Sequence, residues 1–329
     1  MVMSIVAPIF GGGAGEGQSK EPGPASESAP EGPAKPAFLE YWQEVDISGA
    51  WQVEEKEDGY YLIDGEGTAL PLKEYGTIVV TSAGAVEILY GLQAQEHIAA
   101  IGTSRSGIWP EEETSKLPSV GGLSKPSFEK IISFEPELVI GNGMNTEVVA
   151  ELNKLGIPAI IHSTDTIAEI MNAVLVLGVL SGTEKEAIET VVDRLRLLEE
   201  LREQLAEKPL DLKGAFVYSV DPVKAFGEDS LPGEILSVLG VHNIAAGLAT
   251  ARPILSPEYI VEQDPDFLLG AMSIRNPEQI LNADAMIKNT RAGRENNIII
   301  VPSQMILRPT PRVIDTLNML REKLVELVK

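Results

Sequence analysis

One uninterrupted helical pattern, TEKEAIETVVDRLRLLEELREQLAE from Thr183 to Glu207, constrains this chain more than any other stretch. Ile188, Val191, Val192, Leu195, Leu198, Leu201 and Leu205 recur at three- and four-residue spacing, with Glu, Arg and Asp on the other face, which predicts an amphipathic helix. Gly182 stops the preceding helix, Thr183 with Glu186 fits a capping box, and Lys208-Pro209 ends the run. At 1.5 Å per residue it reaches about 37 Å, enough to cross one small domain and enter a second. A surface helix of one domain would look the same in isolation, so the flanks decide its meaning.

On both flanks the pattern is α/β. TIVVT, IAAIG, ELVIG and IPAII are short β-rich runs from Thr77 onward, each followed by a helical pattern, with a long loop after the second. A helix from Asp165 to Leu180 closes this block. A second block opens at Gly214 with GAFVYS, DFLLG and NIIIV as strands and a final helix from near Pro311. Alternation of this kind implies mostly parallel sheets with helices on their faces. The expected fold is therefore two Rossmann-like α/β lobes joined by one long rigid helix, with a ligand cleft between them. The expected division is 1–37 leader and tether, 38–76 a β-hairpin segment, 77–182 the first lobe, 183–208 the joining helix and 209–329 the second lobe. Within 48–72, GAWQVEE, a KEDG turn and YYLID read as the hairpin, before GEG and TALPL.

The formal charge of −23 disfavours nucleic acid or an anionic membrane as partner, because both repel an acidic surface. With no cysteine there is no disulfide, thiolate nucleophile or zinc-thiolate site. No run of eighteen apolar residues is present. Residues 1–10 are apolar without Lys or Arg and make a poor signal peptide alone, and Gly11 to Ala37 reads as a flexible tether. The glycines of GGGAGEG do not take dinucleotide-fingerprint spacing, and no strand or helix flanks them.

An internal repeat links the two blocks. SFEKIISFEPELVIG (127–141) aligns without a gap to SPEYIVEQDPDFLLG (256–270), sharing Ser, Glu, Ile, Pro and Gly. Each copy reads as a capped short helix, a turn before Pro and a buried strand, and Glu129 and Glu258 occupy equivalent places.

Together with IVVTSAGAVEILYGL, LPSVGGLSKPSFEKIISFEPELVIGNG, LGIPAIIHSTDTIAEI, LGVLSGTEKEAIE and LRPTPRVIDTL, these segments resemble the periplasmic-binding-protein family of iron-siderophore, haem and cobalamin ABC importers, the class with a helical backbone between its lobes. The resemblance spans Asp64 to Lys329. It implies capture of a ferric siderophore, haem or cobalamin in the cleft and delivery to a permease in the cytoplasmic membrane. It further implies no covalent chemistry, no catalytic residue and no resident cofactor. Glu129 and Glu258 fall where the family places one exposed glutamate per lobe to pair with permease arginines. Their outward first-turn position suits a bidentate arginine, and equally suits simple complementation of the helix dipole. The resemblance also implies an extracytoplasmic, periplasmic or lipid-anchored monomer, although the anchoring Cys is absent.

In open α/β sheets ligands sit beyond the carboxyl ends of strands. The loops there offer Ser82, Arg105, Trp109, Asn142 and Met144 in the first block, with Asn145 beside them, and Tyr218, Phe226, Met272, Arg275, Met305 and Arg308 in the second, with Lys224 beside them. Cations mixed with Trp and Met suit a broad, partly apolar, anionic ligand, and Trp109, with little local core to join, is the strongest candidate. A direct metal site is not expected: among His97, His162 and His242 only His162 sits at a strand end facing the cleft. Tyr218, Met144, Met272 and Met305 leave a haem ligand open. Two other classes compete: an α/β enzyme acting on a small anion, which lacks a phosphate loop, a Gly-x-Ser-x-Gly elbow and clustered His with carboxylate, and a scaffold that keeps the fold without transport.

Overall fold

The computed structural model describes residues 35–42, 51–64 and 67–328. The expected leader and most of the tether lie outside the described residues. The chain is mixed α/β, built as two lobes on parallel-rich sheets. Strands β1 (Gln52–Lys56), β2 (Gly59–Ile63) and β3 (Ala69–Pro71) form a small antiparallel sheet, one strand more than the expected hairpin.

The first lobe is a six-stranded sheet in the order β7-β6-β5-β4-β8-β9. Its members are β4 (Ile78–Val80), β5 (Ile98–Thr103), β6 (Ser119–Gly122), β7 (Lys125–Pro126), β8 (Leu138–Gly141) and β9 (Ala159–Ile161), all parallel except the β6/β7 pair. Helices α1 (Ala83–Gly91), α2 (Glu111–Thr114), α3 (Phe128–Ser133) and α4 (Thr146–Lys154) cross between them. The stretch expected as a long loop holds α2, β6 and β7. Strands of two to four residues leave no period to read.

Next come α5 (Ile167–Leu180) and the long α6 (Glu184–Glu207), packed as an antiparallel pair. They approach closely because Gly178 faces Ala187, whose Cβ would collide with any side chain there. The capping box expected at Thr183 and Glu186 is not formed: Thr183 makes no side-chain cap bond, and its hydroxyl pairs with Ser181 Oγ at 2.9 Å. The capping box belongs to α5 instead, between Thr166 and Glu169. Val191, Leu198, Leu201 and Leu205 are buried as expected, whereas Val192 is exposed.

The second lobe contains β10 (Lys213–Val220), β11 (Val223–Ala225), β12 (His242–Asn243), β13 (Phe267–Gly270) and β14 (Ile298–Ile300) in the order β11-β10-β13-β14, with β12 also on β10. Only the β10/β11 pair is antiparallel. Its helices are α7 (Leu231–Val238), α8 (Pro257–Gln263), α9 (Pro277–Leu281), α10 (Arg291–Arg294) and α11 (Ser303–Ile306), and α12 (Val313–Val325) returns to pack on α6.

The antiparallel sheet covers the open edge of the first lobe. β9 has only β8 as neighbour, so Ile161 needs other partners for its backbone. Trp51 Nε1 donates to Ile161 O at 2.8 Å, and Asp64 Oδ2 accepts from Ile161 N at 3.3 Å. Leu62 and Leu70 join the main core behind them. Among the described residues no helix is long and apolar enough to cross a membrane.

Candidate functional site

The carboxyl ends of the two parallel sheets converge. After β14 the chain crosses to the first lobe, where Pro309 lies against Gly84 at the start of α1. Arg308 then reaches four groups: Nη1 donates to Glu87 Oε1 at 2.9 Å, and Nη2 donates to Gly107 O at 2.7 Å, Ser106 Oγ at 3.1 Å and Ser104 Oγ at 3.3 Å. Arg312 Nη1 donates to Glu87 Oε2 at 3.1 Å. Glu87 is 3% exposed, and burial pushes its carboxyl pKa up, against the pull of Arg308, the Trp109 N–H and Arg312. A second link joins Glu234 of α7 to the first turn of α5, where Glu234 Oε2 accepts from Ile167 N at 2.7 Å. Burial raises the Glu234 carboxyl, opposed by that bond and reinforced by Glu169.

Trp109 sits on the loop held by Arg308, 45% exposed, with the Arg312 guanidinium 5.1 Å from its ring centroid. Glu87, Trp109 and Arg312 form a wall shared by two cavities. One, about 120 Å³, adds Ser106, Gly107, Ile108, Glu111 and Gln304. The other, about 380 Å³, adds apolar Ile88, Leu92 and Val174 and the Arg194–Asp315 pair.

The sequence-derived residues divide by what they already touch. Arg105 is exposed and makes no ion pair or hydrogen bond among the described residues; the same holds for the Arg275 side chain. Met144 is 66% exposed at the end of β8, and Met272 is 40% exposed at the end of β13. Met272 takes a left-handed backbone (φ 59°), pinned by donation of its N–H to Ser303 Oγ at 2.9 Å. Tyr218 is half-buried, its ring tilted on Phe226 at 4.7 Å.

Five others already have partners within the fold. Ser82 is buried, caps α1 and pairs with His162. Asn142 Nδ2 bridges Thr81 O at 2.7 Å and Leu123 O at 2.9 Å, tying the ends of β4, β6 and β8 together. Phe226 is in the core, with Arg252 over its ring; Met305 packs on that core; Arg308 is 9% exposed with its donors engaged as described. Sequence reading missed Glu87 and Arg312. A lone carboxylate in the otherwise apolar AGAVEILYG helix was the available signal.

The profile of the family described as "Periplasmic binding protein" matches residues 78–305. This chain belongs to that family. A cobalamin-binding protein of Halobacterium salinarum is 24% identical over 302 residues, covering 89% of this chain and 78% of that one. Such coverage requires the alignment to include the antiparallel sheet, which lies before residue 78. The petrobactin-binding protein YclQ of Bacillus subtilis is 26% identical over 260 residues, covering 74% of this chain and 79% of its own. Among solved structures, the fold resembles the apo form of the haem-binding protein RhuT from Roseiflexus sp. RS-1, with TM-score 0.69 and 22% identity, covering 77% of this chain and 99% of that one. It also resembles the vitamin B12-binding protein BtuF of Vibrio cholerae, with TM-score 0.66 and 22% identity, covering 78% and 98%.

In this binding protein the internal repeat is also a repeat of geometry. Ser127 and Ser256 each cap their helix, α3 and α8, accepting from the N–H three residues on. Ile131 and Ile260 are buried, and Glu135 and Asp264 both turn left-handed before Pro136 and Pro265. Gly141 and Gly270 then end β8 and β13, each facing a branched side chain that leaves no room for a Cβ. Glu129 and Glu258 are therefore exposed first-turn carboxylates on matched helices, one per lobe.

Beneath the cleft, His162 Nδ1 lies 2.8 Å from Ser82 Oγ, the Trp51 ring is edge-on at 5.7 Å, and Nε2 has no partner among the described residues. Burial lowers the His162 pKa to about 4. The unfolded chain takes up this proton near the ordinary 6.5, so the stability due to neutral His162 is present above pH 6.5 and is lost as pH falls towards 4. Chemical denaturation of wild type and His162→Gln between pH 7.5 and 4.5 is expected to differ in slope, with wild type losing about 2.5 kcal/mol more. Parallel curves would show that His162 is not held neutral. No group of three or more His, Cys, Asp or Glu that could hold a metal occurs among the described residues.

Proposed function

We propose that this binding protein captures a metal chelate in the cleft between its lobes, outside the cytoplasm, and hands it to an ABC importer permease. The observation that carries this reading is the set of side chains exposed at the strand ends: the Trp109 indole beneath the Arg312 guanidinium, the unpaired Arg105 and Arg275, and the thioethers of Met144 and Met272. Guanidinium groups suit the carboxylate or catecholate oxygens of a ferric siderophore, while an indole and thioethers cover a flat apolar face. The petrobactin-binding relative fits that chemistry. Cobalamin is the second reading, favoured by the Halobacterium cobalamin-binding relative whose alignment extends into the antiparallel sheet; haem belongs to the same class.

The protein works as a monomer by binding alone. Ser82 and His162 are adjacent, but both are buried and Ser82 caps a helix, so they offer no open nucleophile and base to a substrate. Glu129 and Glu258 meet arginines of the permease, one on each lobe. A thermal-shift screen with ferric petrobactin, cyanocobalamin, haemin and small oxyanions tests this: one of the three chelates raises the melting midpoint in a dose-dependent way. No shift with any chelate, together with hydrolysis of an ester substrate, would favour the enzyme reading.

Because α6 is continuous through 24 residues, large hinge bending is resisted. X-ray scattering of free and loaded protein is expected to differ by less than about 1 Å in radius of gyration. A compaction of several ångströms would contradict a rigid connection.

A further inference from the structure

Arg308 and Arg312 follow the last strand of the second lobe, yet their guanidinium groups hold a loop of the first. Arg308 binds Ser104, Ser106 and Gly107, and Arg312 faces the Trp109 ring. Glu87 joins the two, accepting from Arg308, from Arg312 and from the Trp109 N–H at 3.3 Å. Each link ends on the segment 104–109 or on the carboxylate that anchors it. The α6 connection and the Glu234 link to Ile167 already tie the lobes without touching this loop.

We propose that Glu87 of α1, together with Arg308 and Arg312 of the segment that crosses over after β14, are positioning residues that set the Trp109 loop, so that the indole is oriented before ligand arrives. Chain 104–109 is short, polar and partly exposed, and by itself would lose conformational freedom on binding. Fixing it in advance removes that cost from the binding step. The consequence for affinity rests on the cleft reading above, whereas the positioning itself is a property of the ligand-free protein.

Hydrogen exchange by mass spectrometry on the full chain tests it. Arg312→Met is the first variant: its side chain is 40% exposed, and its loss leaves the Glu87–Arg308 pair intact. Ser104→Ala/Ser106→Ala is the second: it removes two acceptors of Arg308 together with the hydroxyl pair inside the loop, and leaves Glu87 and Arg312 unchanged. Glu234→Gln is the comparison, since it weakens the other link between the lobes. Both loop variants are expected to speed exchange across 104–109 by tenfold or more without ligand, while β8 and β13 stay protected and Glu234→Gln leaves the loop unchanged. Whichever of cyanocobalamin, haemin or ferric petrobactin binds wild type is expected to bind the loop variants about fivefold or more weakly. Unchanged loop exchange in both loop variants, or equal acceleration in all three proteins, would overturn the proposal. If no probe binds wild type, the cleft reading fails, and the exchange data still decide the positioning role.

Discussion

Arg308→Ala is expected to destabilise the protein by about 3 kcal/mol, the lower end for breaking a buried ion pair by removing one partner. The loss comes from what is left behind. Glu87, 3% exposed, would keep only Arg312 and the Trp109 N–H, while Ser104, Ser106 and Gly107 O would lose a shared donor. Replacing both charges, as Glu87→Gln/Arg308→Met, is expected to recover most of that loss, because no unpaired charge then remains buried and Met fills much of the arginine volume. Urea midpoints of the single and double variants decide it. A single variant within about 0.5 kcal/mol of wild type would mean that the network is solvated and contributes nothing.

Glu129→Lys/Glu258→Lys is expected to reduce permease-dependent uptake by at least about tenfold, while affinity for the chelate is unchanged. Under the docking proposal each reversal sets like charges against the permease arginine that would meet it, a juxtaposition costing several kcal/mol. The two carboxylates lie on matched helices in separate lobes, so the single reversals are each expected to have a smaller effect than the pair. Both positions are exposed first-turn residues, and folding should lose only the few tenths of a kcal/mol due to the helix dipole. Uptake with cells or proteoliposomes carrying the cognate permease, beside a binding titration, separates docking from capture. Normal uptake by the double variant would remove both glutamates from the interface.

Much of the architecture was legible because long periodic segments carry their own evidence. The α6 stripe, the strand-helix alternation and the 127–141/256–270 repeat each depend on many residues agreeing. The short pieces were not legible: β6, β7, β11 and β12 are too brief for a period, and their pairing is set by tertiary contacts. The misplaced capping box has a similar cause, since Thr183 follows Ser181, a competing hydroxyl partner two residues earlier.

At the site, the sequence shows which residues lie on the strand-end loops, and the structure shows what each of them touches. Arg105, Met144, Met272 and Arg275 present exposed side chains on those loops, Trp109 is exposed beneath the Arg312 guanidinium, and Ser82, Asn142 and Arg308 have partners within the fold that a sequence does not display. Asn142 bridges two carbonyls far away in the chain, and Arg308 pairs with a glutamate 221 positions earlier, links that no local pattern displays. The same distance hid Glu87 and Arg312. Such pairing occurs because the segment after β14 crosses to the first lobe, where Pro309 lies against Gly84 and Arg308 reaches Glu87.

The central claim is that the cleft between two fixed lobes takes the ligand. Hydrogen exchange of the free protein and of the protein saturated with whichever chelate binds tests it most directly. Slowed exchange is expected in 104–109 and 142–145 of the first lobe together with 218–226 and 271–276 of the second. Saturating ligand with protection confined to one lobe, or placed away from the strand ends, would contradict the account.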